Sequence, residues 1–357
     1  MAPLFARNRQ FLTGLFSGPF RGHALIVSPP PDCFPPLPGG RQALQEDYTL
    51  SSQPVAAWVP QYVQQYQGRL CAAKTFDDDA VPYVSVTTNT GIFAAAFGCP
   101  VHVYAGQATN AAARPIVWTA AQADRLAEPG LDAPTLARIF ELARLLRREL
   151  GPEVPISVPD IQSPFDIAAL IWNKEDLFLA MLEAPQAVLS LTAKCCSLLK
   201  RFLIEYRKQI GECNLCHCPY AWAPAQLGCW LSEDEVGSIS RAMFARFCLP
   251  FLTELSETFG GLFMHCCANA GHQYGGFQEI PNLRGLNRVF QAPGPGPAIQ
   301  AFAGKTVLMQ AWSPEEFLNN MLDLAQPDSR FLFNLEGPSR AEIAPVYERL
   351  RKRCPRN

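Results

Sequence analysis

The stretch Gly260-Gly-Leu-Phe-Met-His265-Cys266-Cys267-Ala-Asn269 decides how this chain is read. An apolar run of strand type stops at a histidine and two cysteines, and a glycine-containing loop follows. Side chains alternate along an extended strand, so His265 and Cys267 share one face and Cys266 takes the other. An imidazole and a thiolate on one face can share a zinc ion, which accepts both donor types. A catalytic zinc takes three ligands from the protein, so a third donor has to come from elsewhere in the chain. The competing expectation is a packed histidine among inert cysteines, since free cysteine is among the most buried residue types.

On either side of this stretch, short apolar or β-branched runs alternate with helical patterns. Strands are expected at 82–88, 154–159, 213–220, 261–267, 283–287, 306–310 and 331–335. Helical spacing marks 120–150, 165–183, 186–209, 233–259 (with Ser232 as N-cap), 313–325 and 339–352. About seven strands with helices between them suit a (β/α)8 TIM barrel, and no glycine-rich dinucleotide fingerprint follows any strand. The remaining strand is either Val101 to Tyr104 or Ala24 to Val27. Residues 1–75 read as an irregular Pro-rich extension with helices near 4–16 and from Trp58, and residues 76–357 as the α/β barrel. Asp77-Asp78-Asp79 is expected to be a solvated loop.

The chain has 357 residues, 48% hydrophobic and 17% charged, enough to bury a large core. A net charge of -2 with a pI near 6.2 argues against non-specific binding to nucleic acid or an anionic membrane. No apolar run reaches membrane-spanning length, and residues 1–20 do not read as a signal peptide. Thirteen cysteines, an odd number with adjacent pairs at 195–196 and 266–267, fit reduced thiols and a cytoplasmic location better than a disulfide framework.

A barrel collects its chemistry at the C-terminal ends of its strands. The unusual side chains of this sequence fall at such ends. Asp160 and Gln162 follow one expected strand, Cys216 to Cys218 lie along another, and His265 to Asn269 end a third. Asn287, Gln310 and Glu336 follow the rest. Asp160, Asp234 and His272 are candidates for proton transfer, although Asp234 in a first helical turn and His272 in a solvated loop also suit bland roles. Gln162, Asn269, Asn287 and Gln310 are candidates for substrate binding. Metal candidates are His265 and Cys267, completed by Cys218 or its neighbour Cys216 if 213–220 is a strand, or by Glu336.

The series Gln162-Ser-Pro-Phe-Asp166, Leu231-Ser-Glu-Asp234, Leu249-Pro250, His265-Cys-Cys-Ala-Asn269 and Ile280-Pro-Asn-Leu-Arg-Gly-Leu286 resembles the uroporphyrinogen decarboxylase superfamily. The likeness runs from about residue 75 onward and points to the branch of corrinoid-dependent methyltransferases. It implies a (β/α)8 barrel in which a His-x-Cys pair and a later cysteine hold zinc, and the zinc activates a thiol toward the methyl group of a corrinoid protein. Carried over, His265 and Cys267 are the first two ligands. The final strand, Phe333-Asn-Leu-Glu336, has no cysteine, which departs from that pattern. A barrel with altered chemistry, binding a small ligand or a corrinoid partner without methyl transfer, is therefore the second expectation. Porphyrinogen decarboxylation ranks lowest: its polycarboxylate substrate calls for arginines, and Tyr83 to Thr90 contains no basic residue.

Overall fold

The computed structural model describes residues 3–18, 22–104 and 111–356. Its strands are β1 (Ala24–Val27), β2 (Ile156–Ser157), β3 (Cys213–Asn214), β4 (Cys229–Ser232), β5 (Leu262–Cys266), β6 (Leu283–Arg288), β7 (Val307–Gln310) and β8 (Phe331–Leu335). Six of them form one parallel sheet in the order β1-β8-β7-β6-β5-β4. Short ladders complete the ring. Asp79 N donates to Leu25 O (3.0 Å) beside β1, and Val84 bridges to β2. The strand β2 pairs with β3, and further along the same segment Gln162 bridges to Ser232 of β4. The fold is a (β/α)8 TIM barrel.

Of the two open choices, Ala24–Val27 enters the barrel, pairing with β8, whereas Val101–Val103 forms a separate antiparallel ladder with Ala111–Ala113. Residues 1–75 therefore supply a barrel strand as well as packing helices. The helix Pro3–Ser17 plugs the strand-N-terminal end of the barrel. Its Leu12, Leu15 and Phe16 join Ala24, Ile26, Trp230, Phe263, Val307, Met309 and Leu332 in the interior cluster. Arg330, just ahead of β8, donates to Leu15 O at 2.9 Å. The alternate strand residues, among them Leu231, Met264, Cys266, Leu286 and Leu308, face outward into the helical layer. Alternation thus puts Phe263 and His265 inside and Cys266 outside, as an extended strand requires.

Several expected elements are shorter or divided. The 213–220 run is a strand only at Cys213–Asn214, because Leu215 N turns back to bond Ala223 O and Cys218-Pro219 is cis. The 82–88 run contributes one bridge at Val84. The expected helix at 233–259 is a 3-10 turn (Glu235–Ser238) and two helices (Arg241–Phe247, Leu249–Phe259). Ser240 caps the first of these, its hydroxyl accepting from Met243 N. Ser232 is not an N-cap but the last residue of β4. Asp78 and Asp79 are fully buried rather than solvated: Asp79 pairs with Arg351 (2.7 Å) and Arg356 (2.6 Å), and Asp78 accepts from Val27 N (2.7 Å) and Ala80 N (3.0 Å).

Candidate metal centre

Register builds the site. Ser232, His265, Asn287 and Met309 lie side by side on β4, β5, β6 and β7, one layer above Trp230 and Phe263, whose rings stack at 5.4 Å. His265 Nδ1 sits 2.6 Å from Asn287 Oδ1, and Asn287 Nδ2 donates to Met309 O at 2.7 Å. The backbone carbonyl fixes the orientation of the carboxamide. Its oxygen can only accept, so Nδ1 of His265 carries the proton and Nε2 keeps a free lone pair. Burial lowers the imidazole pKa, against an opposing pull from Asn287, which keeps the ring neutral. A neutral imidazole with its distal nitrogen held by a carbonyl oxygen is the usual state of a metal-ligating histidine.

Above this layer, donor atoms of Asp234, His265 and Cys267 all lie within 4.8 Å of one another. Asp234 follows β4, and its Oδ1 accepts from Cys267 N (2.6 Å) and Ala268 N (3.3 Å). The turn that carries it is held from below. Asp166, in the helix Pro164–Ile171 capped by Ser163, accepts from Asp234 N (2.7 Å) and Glu235 N (3.0 Å). Burial raises the Asp166 carboxyl to about 7, and the fully buried Glu233 beside it is pushed well above the carboxylate range by burial and by Asp166. Desolvation and the Asp234 charge push the Cys267 thiol up to about 12, so it is protonated at neutral pH when no cation is present. A divalent cation between carboxylate, imidazole and sulfur reverses both causes. One nitrogen, one sulfur and one carboxylate oxygen form a donor set that fits zinc.

The other expected site residues are spread around this cluster. Cys218 stands beside it with Sγ 3.9 Å from His265 Nδ1, the nitrogen already bound to Asn287, and it lies outside the three-donor group. Cys216 is buried with its thiol on Pro219 O (3.0 Å). Glu336 is exposed and accepts from Ser28 Oγ (3.3 Å) beside the β1–β8 seam, so it does not join the cluster. Asp160 faces the mouth, 3.3 Å from His217 Nε2 and 2.9 Å from Gln162 Nε2. Burial alone would raise its carboxyl, but His217 beside it holds it below the ordinary value. His272 is turned away, with Nε2 2.9 Å from Ile239 O, and Asn269 is exposed in the same loop. The Gln310 amide is bound to Ser313 Oγ (2.7 Å) rather than presented to the mouth.

Two residues that sequence reasoning did not single out also reach the site. His217, between Cys216 and Cys218 on the expected 213–220 run, points inward to Asp160 and lies 3.4 Å from Ser232 Oγ. Trp312, an exposed tryptophan with φ of 54°, stands edge-on to His265 at 6.3 Å. A left-handed backbone at a bulky residue is uncommon and would have no periodicity signal.

The fold and its mouth define an α/β-barrel protein with a metal-competent donor cluster at the strand ends. The profile of the family described as uroporphyrinogen decarboxylase (URO-D) matches residues 70–285, more than half of the chain, and the protein belongs to that family. Among solved structures, a methyltransferase from Methanosarcina mazei superposes with a TM-score of 0.62 at 12% identity, over 97% of this chain and 98% of that one. At that identity the likeness shows the shared fold. No curated protein matches the sequence. Among the described residues no helix is long and apolar enough to cross a membrane.

Proposed function

We propose that the chain is a methyltransferase-like enzyme of this family that binds zinc through Asp234, His265 and Cys267. The methyl donor would be a corrinoid protein or a small molecule, and the acceptor a thiol or a similar nucleophile. The observation that carries this reading is the convergence of the three donors at the barrel mouth, with His265 oriented by Asn287. Bound there, zinc would supply the Lewis acidity that makes an acceptor thiol a thiolate near neutral pH. The chain's own groups do the rest. Asn287 and Met309 O keep the His265 lone pair outward, and Asp166 holds the turn that aims Asp234. Asp160 and His217, 3.3 Å apart, form a proton-handling pair beside the cluster. Trp312 stands against the His265 ring at the mouth.

Decarboxylation of a polycarboxylate tetrapyrrole is disfavoured by the same surface, because Asp160 and Asp234 at the mouth would repel its carboxylates. The test is zinc content of protein purified without chelators, alongside methyl transfer from methylcobalamin to a thiol. About one equivalent of zinc is expected, lost in Asp234→Asn and Cys267→Ser together with the activity. Zinc below about 0.2 equivalents, unchanged on adding zinc, would refute the metal site. Full zinc occupancy without transfer would leave a ligand-binding barrel with altered chemistry.

A further inference from the structure

Arg288, the last residue of β6, is a buried cation without an ion-pair partner among the described residues. It alternates with the inward Asn287 and therefore points outside the barrel, as does Cys266, which it touches. Its Nη1 donates to Cys266 O (3.1 Å) and Ala268 O and contacts Cys266 Sγ (3.1 Å). Its Nε is closed off from water with no hydrogen bond, and Nη2 makes none among the described residues. The ring of Tyr274, 5.8 Å away, is its other neighbour. A buried charge left without a counter-charge is costly, and such a group normally has one.

Arg288 lines a recess of about 330 Å³ together with Asn269, His272, Tyr274, Phe290 and Gln291, and no acidic residue is in that wall. The volume is at the small end of ligand sites. We infer that this recess binds a small carboxylate on the free Nη2 of Arg288, with Asn269 and Gln291 as further polar contacts. Nη2 is the donor left over once Nη1 is taken by Cys266 O and Ala268 O, and a carboxylate oxygen accepting from it would also supply the counter-charge the guanidinium lacks. The recess begins two residues past Cys267, so its occupant lies beside the donor cluster but outside the barrel mouth. The inference does not rest on the methyltransferase reading and holds with or without zinc.

Calorimetric titration of the full chain with acetate and succinate tests it, on zinc-loaded and zinc-stripped protein alike. Methanesulfonate and phosphate run as separate arms. Saturable binding of a carboxylate is expected, at least tenfold weaker in Arg288→Lys, which keeps the charge and loses the Nη2 donor. Gly271→Leu is the second variant: Gly271 lines the recess, and a Cβ there meets nothing within 4 Å, so bulk is added to the recess wall without a clash at Cβ. It is expected to abolish binding while the thermal midpoint stays within about 2 °C of the parent. Absence of carboxylate binding, equal binding in Arg288→Lys, or unimpaired binding in a folded Gly271→Leu would each overturn the inference. Tighter binding of phosphate or methanesulfonate than of either carboxylate would overturn the assigned ligand class.

Discussion

Replacing Asn287 by leucine removes one residue that makes both ends of a buried relay. The side chain holds His265 Nδ1 at 2.6 Å and donates to Met309 O at 2.7 Å, and Asn287 is 1% exposed. Leucine has similar bulk, so little cavity opens, and the cost is two polar groups left unsatisfied. Each such group costs about 1–3 kcal/mol, giving about 2–6 kcal/mol together. A domain of ordinary stability retains its fold at the lower half of that range. Loss of the partner that fixes the histidine tautomer weakens metal binding by about 10- to 100-fold. Urea denaturation measures the first effect, and zinc competition against a chromophoric chelator measures the second. A folded Asn287→Leu protein that binds zinc within twofold of the parent would show that the relay does not orient His265.

Two further outcomes follow from the barrel interior and its base. A Cβ on Gly285 would stand 2.7 Å from Phe263 Cδ1 and 3.1 Å from Met309 Sδ, so Gly285→Ala forces Phe263 off its Trp230 stack. It should lower stability by about 1–3 kcal/mol in urea denaturation, and an unchanged midpoint would contradict the packing described. Burial pushes the Asp78 carboxyl up to about 7 from 3.8, so the folded state holds this proton more tightly than the unfolded chain. Stability from this group is complete below about pH 4 and is lost as pH rises through 7, on the order of 4 kcal/mol in all. Asp78→Asn should flatten the stability–pH curve over that window by about one proton, and an identical slope would refute the assignment.

How far the fold was legible depended on how each strand was bounded. The runs that became β5, β7 and β8 are apolar segments bounded by glycine, proline or a polar residue, and strand length and punctuation suffice to mark them. The run that became β4, Cys-Trp-Leu-Ser, is four residues long and buried on both faces, so it shows no hydrophobic alternation. The Glu-Asp-Glu that follows mimics a first helical turn and drew the expected helix too far forward. That misreading also hid the third donor. With Ser232 as an N-cap, Asp234 belongs to a helix dipole; with Ser232 in register beside His265, Asp234 belongs to the mouth. The pair His265 and Cys267 was legible because alternation alone puts them together. Cys218 and Glu336 fall outside the three-donor group, because their positions depend on the turn at 218–219 and on the β1–β8 seam, which no local pattern encodes.

That seam has a consequence for how the molecule is made. Ser28 and Asn334, 306 residues apart, share a hydrogen bond across it, and the plugging helix is tied to Arg330 over a similar separation. Of the barrel's strands, the first to be made waits for the last before its edge is covered. Until then β1 and the apolar face of its helix form an unpaired, sticky edge. Ring closure over so long a loop is slow and exposes intermediates to aggregation. Yield of folded protein should therefore depend on chaperone supply during synthesis more than on the final stability of the closed barrel.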